Sequence, residues 1–216
     1  MKKTILFQGD SVTDCGRNRC SDAELGDGYP RLIEASLGFD APGVYRFVNR
    51  GISGDQVASV YKRLQADILD VKPDFMSLLI GVNDIWHPLD QGIITDTVEL
   101  AALLETLVGE VQRALPQTTI LLMAPFILRG AATEDLPDMP GRFDAFFSGV
   151  RSFAEQMQRV AERRNVLFLD LKSAFDDAAK KAEPSYWLAD GVHPTAKGHE
   201  LIKREWLRVF TQASQN

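Results

Sequence analysis

Thr4-Ile5-Leu6-Phe7-Gln8-Gly9-Asp10-Ser11-Val12-Thr13-Asp14 is the stretch that decides the reading of this chain. Thr4 to Phe7 is a run of four apolar or β-branched residues, too short for a helix, and reads as a buried strand. Gly9 permits a tight turn, because a residue without Cβ reaches backbone conformations closed to others. Ser11 then stands where a strand ends and a helix can begin. Such a place offers unpartnered backbone N–H groups and the positive end of a dipole to an anion or oxyanion. Alone, a Gly-Asp-Ser triplet reads most simply as a capped turn. The rest of the chain changes that reading.

Working outward, apolar runs alternate with stretches of helical period. A polar loop over 15–28 leads to a helix from Tyr29-Pro30, where proline suits the first turn, closed at Gly38. Residues 44–48 alternate as a second strand and stop at Asn49-Arg50-Gly51. Ile52-Ser53-Gly54-Asp55 opens a helix with Val57, Val60, Tyr61, Leu64 and Ile68 at helical spacing. After Pro73, the run 75–80 is apolar enough for a strand buried on both faces, and it stops at Gly81-Val82-Asn83-Asp84. A long helix carries Ala101, Leu104, Val108, Val111 and Leu115 on one stripe, before a fourth strand over 119–124.

Residues 129–142, rich in Gly, Pro and acids, read as a surface insertion near a strand end, a common place for functional loops. A helix over 143–164, a fifth strand over 166–170 and a helix over 173–182 follow. The loop 186–194 and a Thr195-capped final helix with Leu201, Ile202, Val209 and Phe210 complete the chain. No repeat or second domain interrupts it, so 1–216 reads as a single domain.

Alternating strands and helices predict an α/β fold: a five-stranded parallel sheet, doubly wound and flavodoxin-like, in the order 2-1-3-4-5. Ligands in such sheets bind beyond the carboxyl ends of the strands, at the switch point between strands one and three. That rule makes Ser11, Gly51, Asn83 and the Asp190–His193 turn converge.

Composition narrows the function. At 216 residues with 45% hydrophobic and 25% charged side chains, the chain has ordinary globular proportions. A net charge of −6 and scattered Lys/Arg argue against a nucleic-acid partner. Two cysteines (Cys15 and Cys20) and three scattered histidines match no zinc spacing, and the cysteines read as free intracellular thiols. The apolar run after Met1-Lys2-Lys3 is short for a signal sequence, and no run approaches membrane-spanning length. The expectation is a cytoplasmic protein without metal, cofactor or membrane partner; the oligomeric state is left open.

A serine becomes a useful nucleophile only when a base takes its proton, and imidazole is the usual base. In Asp190-Gly191-Val192-His193-Pro194, one turn can bring the carboxylate to Nδ1 and leave Nε2 facing a serine. The N–H groups of Ser11 and Gly51 and the Asn83 amide would then supply three donors to a developing oxyanion. Each residue alone reads as a turn former or cap; their joint occurrence after the strands that topology requires points to catalysis.

Gly9-Asp10-Ser11, Gly51, Gly81-Val82-Asn83-Asp84 and Asp190-Gly191-Val192-His193-Pro194 resemble, in order and over almost the whole chain, the four blocks of the SGNH (GDSL) hydrolases. The resemblance implies a three-layer α/β/α sandwich and a serine esterase without cofactor. It implies Ser11 as nucleophile, His193 as base, Asp190 as its orienting acid, and Ser11, Gly51 and Asn83 as the oxyanion hole. Residues 9–17, 49–54 and 80–86 look more narrowly like bacterial intracellular acetylxylan esterases, which implies an acetylated sugar as the small-molecule substrate.

Trp86, Trp187 and Phe126 are the candidate substrate-binding residues; for Trp86 and Tyr186-Trp187 the reason is that aromatic faces stack on sugars at little entropic cost. Packing of their own loops is an equal alternative for these tryptophans and Tyr186. Two rival readings remain. Phe126, Ile127 and Leu128 could line the acyl channel of a lysophospholipase or thioesterase. Lys172 after strand five faintly suits a non-catalytic receiver-like module.

Overall fold

The computed structural model describes residues 2–213. Its strands are β1 (Lys3–Gly9), β2 (Tyr45–Asn49), β3 (Phe75–Leu79), β4 (Thr119–Met123) and β5 (Leu167–Leu169). Its helices are α1 (Ser11–Asp14), α2 (Tyr29–Asp40), α3 (Val57–Lys62), α4 (Val82–Leu89), α5 (Thr97–Ala114), α6 (Arg142–Arg164), α7 (Leu171–Ala179), α8 (Pro184–Trp187) and α9 (Ala196–Ala213). All strand pairs are parallel and the order is β2-β1-β3-β4-β5.

The sheet separates two apolar layers. On one face Leu6, Val48, Met76, Leu78, Ile120 and Leu122 meet Val57, Leu104, Val108, Phe146, Val150 and Phe153 from α3, α5 and α6. On the other, Ile5, Phe7, Phe75 and Leu121 meet Tyr29, Ile33, Phe175, Ile202, Trp206 and Phe210 from α2, α7 and α9. This alternation along each strand is the period-two signature that makes the sheet the middle of three layers. Each fully buried Leu, Val or Phe contributes roughly 1.5–3 kcal/mol, so these layers fix the strand ends on which the site is built.

Some element limits differ from the sequence reading. Gly38 does not end α2, which runs on to Asp40; the residue tolerates a helix interior where nothing crowds it. The helix after β2 begins only at Val57, and past Lys62 the chain widens into a π-turn over Gln65–Leu69. Asn83 lies on a separate eight-residue helix, α4, before the long α5 begins.

Candidate active site

The wall carrying Ser11 is built from strand ends. Gly9 is required there for space: a Cβ would lie 2.3 Å from the Leu79 carbonyl oxygen of β3 and 2.4 Å from Thr13 Oγ1. Asp10 caps α1, its Oδ1 accepting from Val12 N at 3.0 Å while its carbonyl accepts from Thr13 and Asp14. The cap holds Ser11 half-buried at the first helical position, and the Ser11 N–H has no partner among the described residues. Because α1 is a single turn, what it offers an oxyanion is this N–H rather than a sizeable dipole. Burial pushes the Asp10 carboxyl up to about 7.

The opposite wall is the turn before α9. Ser11 Oγ lies 3.0 Å from His193 Nε2, and His193 Nδ1 lies 2.7 Å from Asp190 Oδ2. The other carboxylate oxygen, Oδ1, accepts from the backbone N–H of Val192 and His193 at 2.9 and 2.8 Å. Partial burial works to raise the Asp190 pKa, but the bonds from His193 and Val192 outweigh it and leave the carboxyl below its ordinary value. A charged carboxylate held by three hydrogen bonds demands the Nδ1–H tautomer, which leaves Nε2 bare toward the serine hydroxyl.

Between the walls, the expectation for Gly51 needs correction. Its N–H donates to Asn49 Oδ1 at 2.9 Å, and the residue is buried, with a Cβ position only 2.6 Å from Asp14 N. Gly51 is therefore a packing glycine. Asn49, whose amide also donates to the Thr13 and Leu25 carbonyls, fastens the end of β2 to the Ser11 turn. In this loop it is the Gly54 N–H that has no partner among the described residues; Gly54 is exposed at φ +83° with open space around it. Asp55, the next residue, accepts from Asn83 Nδ2 through its carbonyl at 3.0 Å, and the second amide hydrogen of Asn83 has no partner among the described residues. Val57 N donates to both carboxylate oxygens of Asp84, and Gln56 Nε2 donates to the Asn83 carbonyl, which locks this loop to α4.

Trp86 borders the site, its ring centroid 6.4 Å from that of His193 and 5.8 Å from that of Phe146. Trp187 does not join it. That ring packs edge-on against Tyr186 and lines a cleft of about 440 Å³ with Lys181, Lys197 and Arg204. Phe126 is corrected outright: it is 3% exposed and stacked on Phe175 at 4.1 Å, inside the core. Ile127 and Leu128 are buried as well, so the acyl channel expected of the lipase-like reading does not start there. Lys172 pairs with Asp176 over the Phe147 ring and faces no acid cluster of the receiver kind.

Cys15 lies beside a second histidine, with His199 Nε2 3.4 Å from its sulfur. The pair is no second nucleophile. His199 Nδ1 accepts from Tyr29 N at 3.1 Å, so its proton sits on Nε2 and points at the sulfur. Burial, with His193 adding to it, pushes the His199 pKa down to about 4, and burial pushes the Cys15 thiol up. The neutral pair ties the Ser11 turn to α9. Cys20 is exposed and unpaired.

The segment 129–142 is more than a surface insertion. Ala132 N donates to the Asp190 carbonyl at 2.8 Å and Leu128 N to the Gly191 carbonyl at 2.9 Å. A Cβ on Gly130 would lie 2.4 Å from the Asp190 carbonyl carbon. Fully buried Thr133 shapes this strap, donating to the Leu128 carbonyl and accepting from Gly130 N. The sequence signals were Gly130 and Gly191, a pair that lets two backbones touch.

The assembled groups can deprotonate a hydroxyl, hold the resulting imidazolium and donate to an oxyanion, which is the equipment for acyl transfer. Comparison with known proteins agrees. The model of the GDSL-like Lipase/Acylhydrolase family matches residues 7–201. An acetylxylan esterase of Geobacillus stearothermophilus is 33% identical over 213 residues, covering 94% of this chain and 92% of that one. A solved structure from Parabacteroides merdae, described as a GDSL-like lipase, is 36% identical with a TM-score of 0.81, covering 97% of this chain and 96% of the other. An arginine mutant of the Geobacillus acetyl-xylooligosaccharide esterase is 31% identical with a TM-score of 0.83, covering 97% and 95%. Catalytic mutants of that enzyme replace a serine, an aspartate or a histidine, the last two three positions apart.

Proposed function

The chain belongs to the GDSL-like lipase/acylhydrolase family and is a carboxylic ester hydrolase, and from that premise we propose that it removes acetyl groups from carbohydrates through an acyl-enzyme on Ser11. The observation that carries the mechanism is the unbroken relay Ser11 Oγ, His193 Nε2, His193 Nδ1, Asp190 Oδ2, with links of 3.0 and 2.7 Å. His193 takes the hydroxyl proton as Oγ attacks the ester carbonyl, then delivers it to the leaving alcohol. Water enters by the same route, releases acetate and restores the serine. Asp190, charged throughout, steadies the imidazolium that forms at each half-reaction.

The Ser11 N–H, the second amide hydrogen of Asn83 and the N–H of Gly54 serve as the oxyanion hole in this reading, Gly54 taking the part first expected of Gly51. One such donor lowers the barrier by roughly 3–4 kcal/mol. A short acyl group is favoured because Phe126, Ile127 and Leu128 are spent on the core. Trp86 beside His193 forms the face against which a sugar ring stacks. Positions 1–216 act as one hydrolase domain, of which 1 and 214–216 lie outside the described residues, and the enzyme works in the cytoplasm on soluble oligosaccharides. No described helix is long and apolar enough to cross a membrane.

The test is acetate release from acetylated xylo-oligosaccharides, other acetyl sugars and p-nitrophenyl esters of two and eight carbons. A steep preference for acetyl over octanoyl, lost in Ser11→Ala, is the expected result. Equal or better turnover of the octanoyl ester sinks the acetyl reading.

A further inference from the structure

We propose that Arg142 is a positioning residue for ester hydrolysis: it sets the spacing between the turn that carries Asp190 and His193 and the helix that carries Asn83. The inference rests on the assignment of those three residues made above. Arg142 is 4% exposed, though it opens a helix on the protein's outer layer. Its Nη1 donates to the carbonyls of Ala132 (3.0 Å) and Glu134 (3.1 Å), and its Nε and Nη2 donate to Asp90 Oδ1 at 3.0 and 2.8 Å. A buried guanidinium with four such bonds, two of them to one carboxylate, is held far more rigidly than a surface ion pair.

Both ends of this clamp lead to the site. Ala132, gripped through its carbonyl, uses its own N–H to hold the Asp190 carbonyl at 2.8 Å. Asp90, gripped through its carboxylate, is the C-terminal cap of α4, whose first turn holds Asn83 and whose middle holds Trp86. One side chain thus joins the support of the acid–base pair to the far end of the helix bearing an oxyanion donor. The α4 helix is tied down at its start by Asp84 and Asn83, so at its far end Arg142 is the link to the strap. Attack and protonation require both walls to be placed to within a fraction of an ångström. A loosened strap lets Asp190 drift relative to Asn83, while Trp86 is still held by its packing on Phe146.

Two variants separate positioning from folding. Arg142→Gln removes the charge and part of the fork; Asp90→Asn, on a half-exposed partner, keeps Arg142 and perturbs only one end of the clamp. With p-nitrophenyl acetate, and with active sites counted by fluorophosphonate labelling, kcat per labelled site is expected to fall about tenfold or more in Arg142→Gln. A fall of about threefold is expected in Asp90→Asn, with KM within twofold in both. Arg142→Lys is expected to recover part of the loss, since one ammonium reaches Asp90 or the carbonyls but not both. The double variant should be little worse than Arg142→Gln alone, because both changes cut one connection. If Arg142→Gln or Asp90→Asn folds and keeps the parent kcat per labelled site, the proposal is wrong. It is equally wrong if the loss appears only as a lower melting temperature or fewer labelled sites. Ser11→Ala is run alongside: activity surviving there overturns the site assignment itself, an outcome distinct from an inert Arg142.

Discussion

The two walls of the site are made of different material. The Ser11 wall is carved from the sheet: Gly9, Asp10 and Asn49 are buried at strand ends, where pairing with β2 and β3 fixes the backbone. The Asp190–His193 wall is a turn outside the sheet, closed at its base by the isolated Leu188–Pro194 bridge, held from outside by main-chain bonds from Leu128 and Ala132 and from inside by its own carboxylate. A rigid nucleophile side and a strapped acid–base side place their demands on different residues. Changes on the first should damage folding and chemistry together, whereas changes on the second should damage chemistry first.

Ser11→Ala and Asp190→Asn bracket that contrast with the largest effects. Removing the serine is expected to lower kcat/KM for an acetyl ester by about 10⁴-fold or more. Asp190→Asn leaves a neutral amide that cannot enforce the same imidazole tautomer, and a loss on the order of 10³–10⁴-fold follows. Near-normal activity in Asp190→Asn, measured with intact far-UV dichroism, would break the picture of the second wall.

Asn83→Ala comes next. It deletes the amide aimed between the walls, and a decrease in kcat of about 10²–10³-fold with little change in KM is expected. Some loss of stability accompanies it, because the Asp55 carbonyl also loses its donor. A large rise in KM at constant kcat would instead mark Asn83 as a ground-state binder.

The two glycines of the connecting loop sharpen the comparison at smaller magnitude. Gly51→Ala drives a methyl into the backbone of Asp14 and is expected to lower the melting temperature by several degrees, with kcat per labelled site little changed. Gly54→Ala meets open space but strains a φ of +83°, which costs about 1 kcal/mol and turns its N–H. There the expectation is a modest loss of stability and a roughly tenfold fall in kcat. The reverse pattern would return the donor role to Gly51.

How much of this was legible in the sequence follows the same divide. The sheet order and the positions of Ser11 and Asn83 came from apolar runs ending in turn residues, signals local to each strand. The spacing of Asp190 and His193 was equally local. What escaped was long-range: that Asn49 would take the Gly51 N–H, that Phe126 would turn inward onto Phe175, and that 129–142 would brace Asp190. Each depends on which neighbour arrives from a distant part of the chain. An apolar residue after a strand reads the same whether it lines a cleft or fills a core. Arg142 shows the limit most plainly, since nothing in the wording of 129–142 marks one arginine for burial.

The smallest expected effect tests how the rigid wall is held. Asp10 is 2% exposed, and its carboxyl is pushed up to about 7 by burial. An acid whose pKa is higher folded than unfolded binds more protons in the native state over the interval between the two values. The stability it gives is fully present below about 4 and is lost as pH rises toward about 7. Above that, the native protein carries the whole cost of a buried carboxylate. Asn in its place keeps an oxygen that accepts from Val12 N and has no proton to lose, so the cap survives. The melting temperature of Asp10→Asn relative to the parent should therefore climb between pH 4 and 7 and level off beyond. The full change corresponds to at most a few kcal/mol, since one pKa unit is worth about 1.4 kcal/mol. A flat difference across that range would mean that water or a rearranged backbone already relieves the charge, and that the first wall is softer than its burial implies.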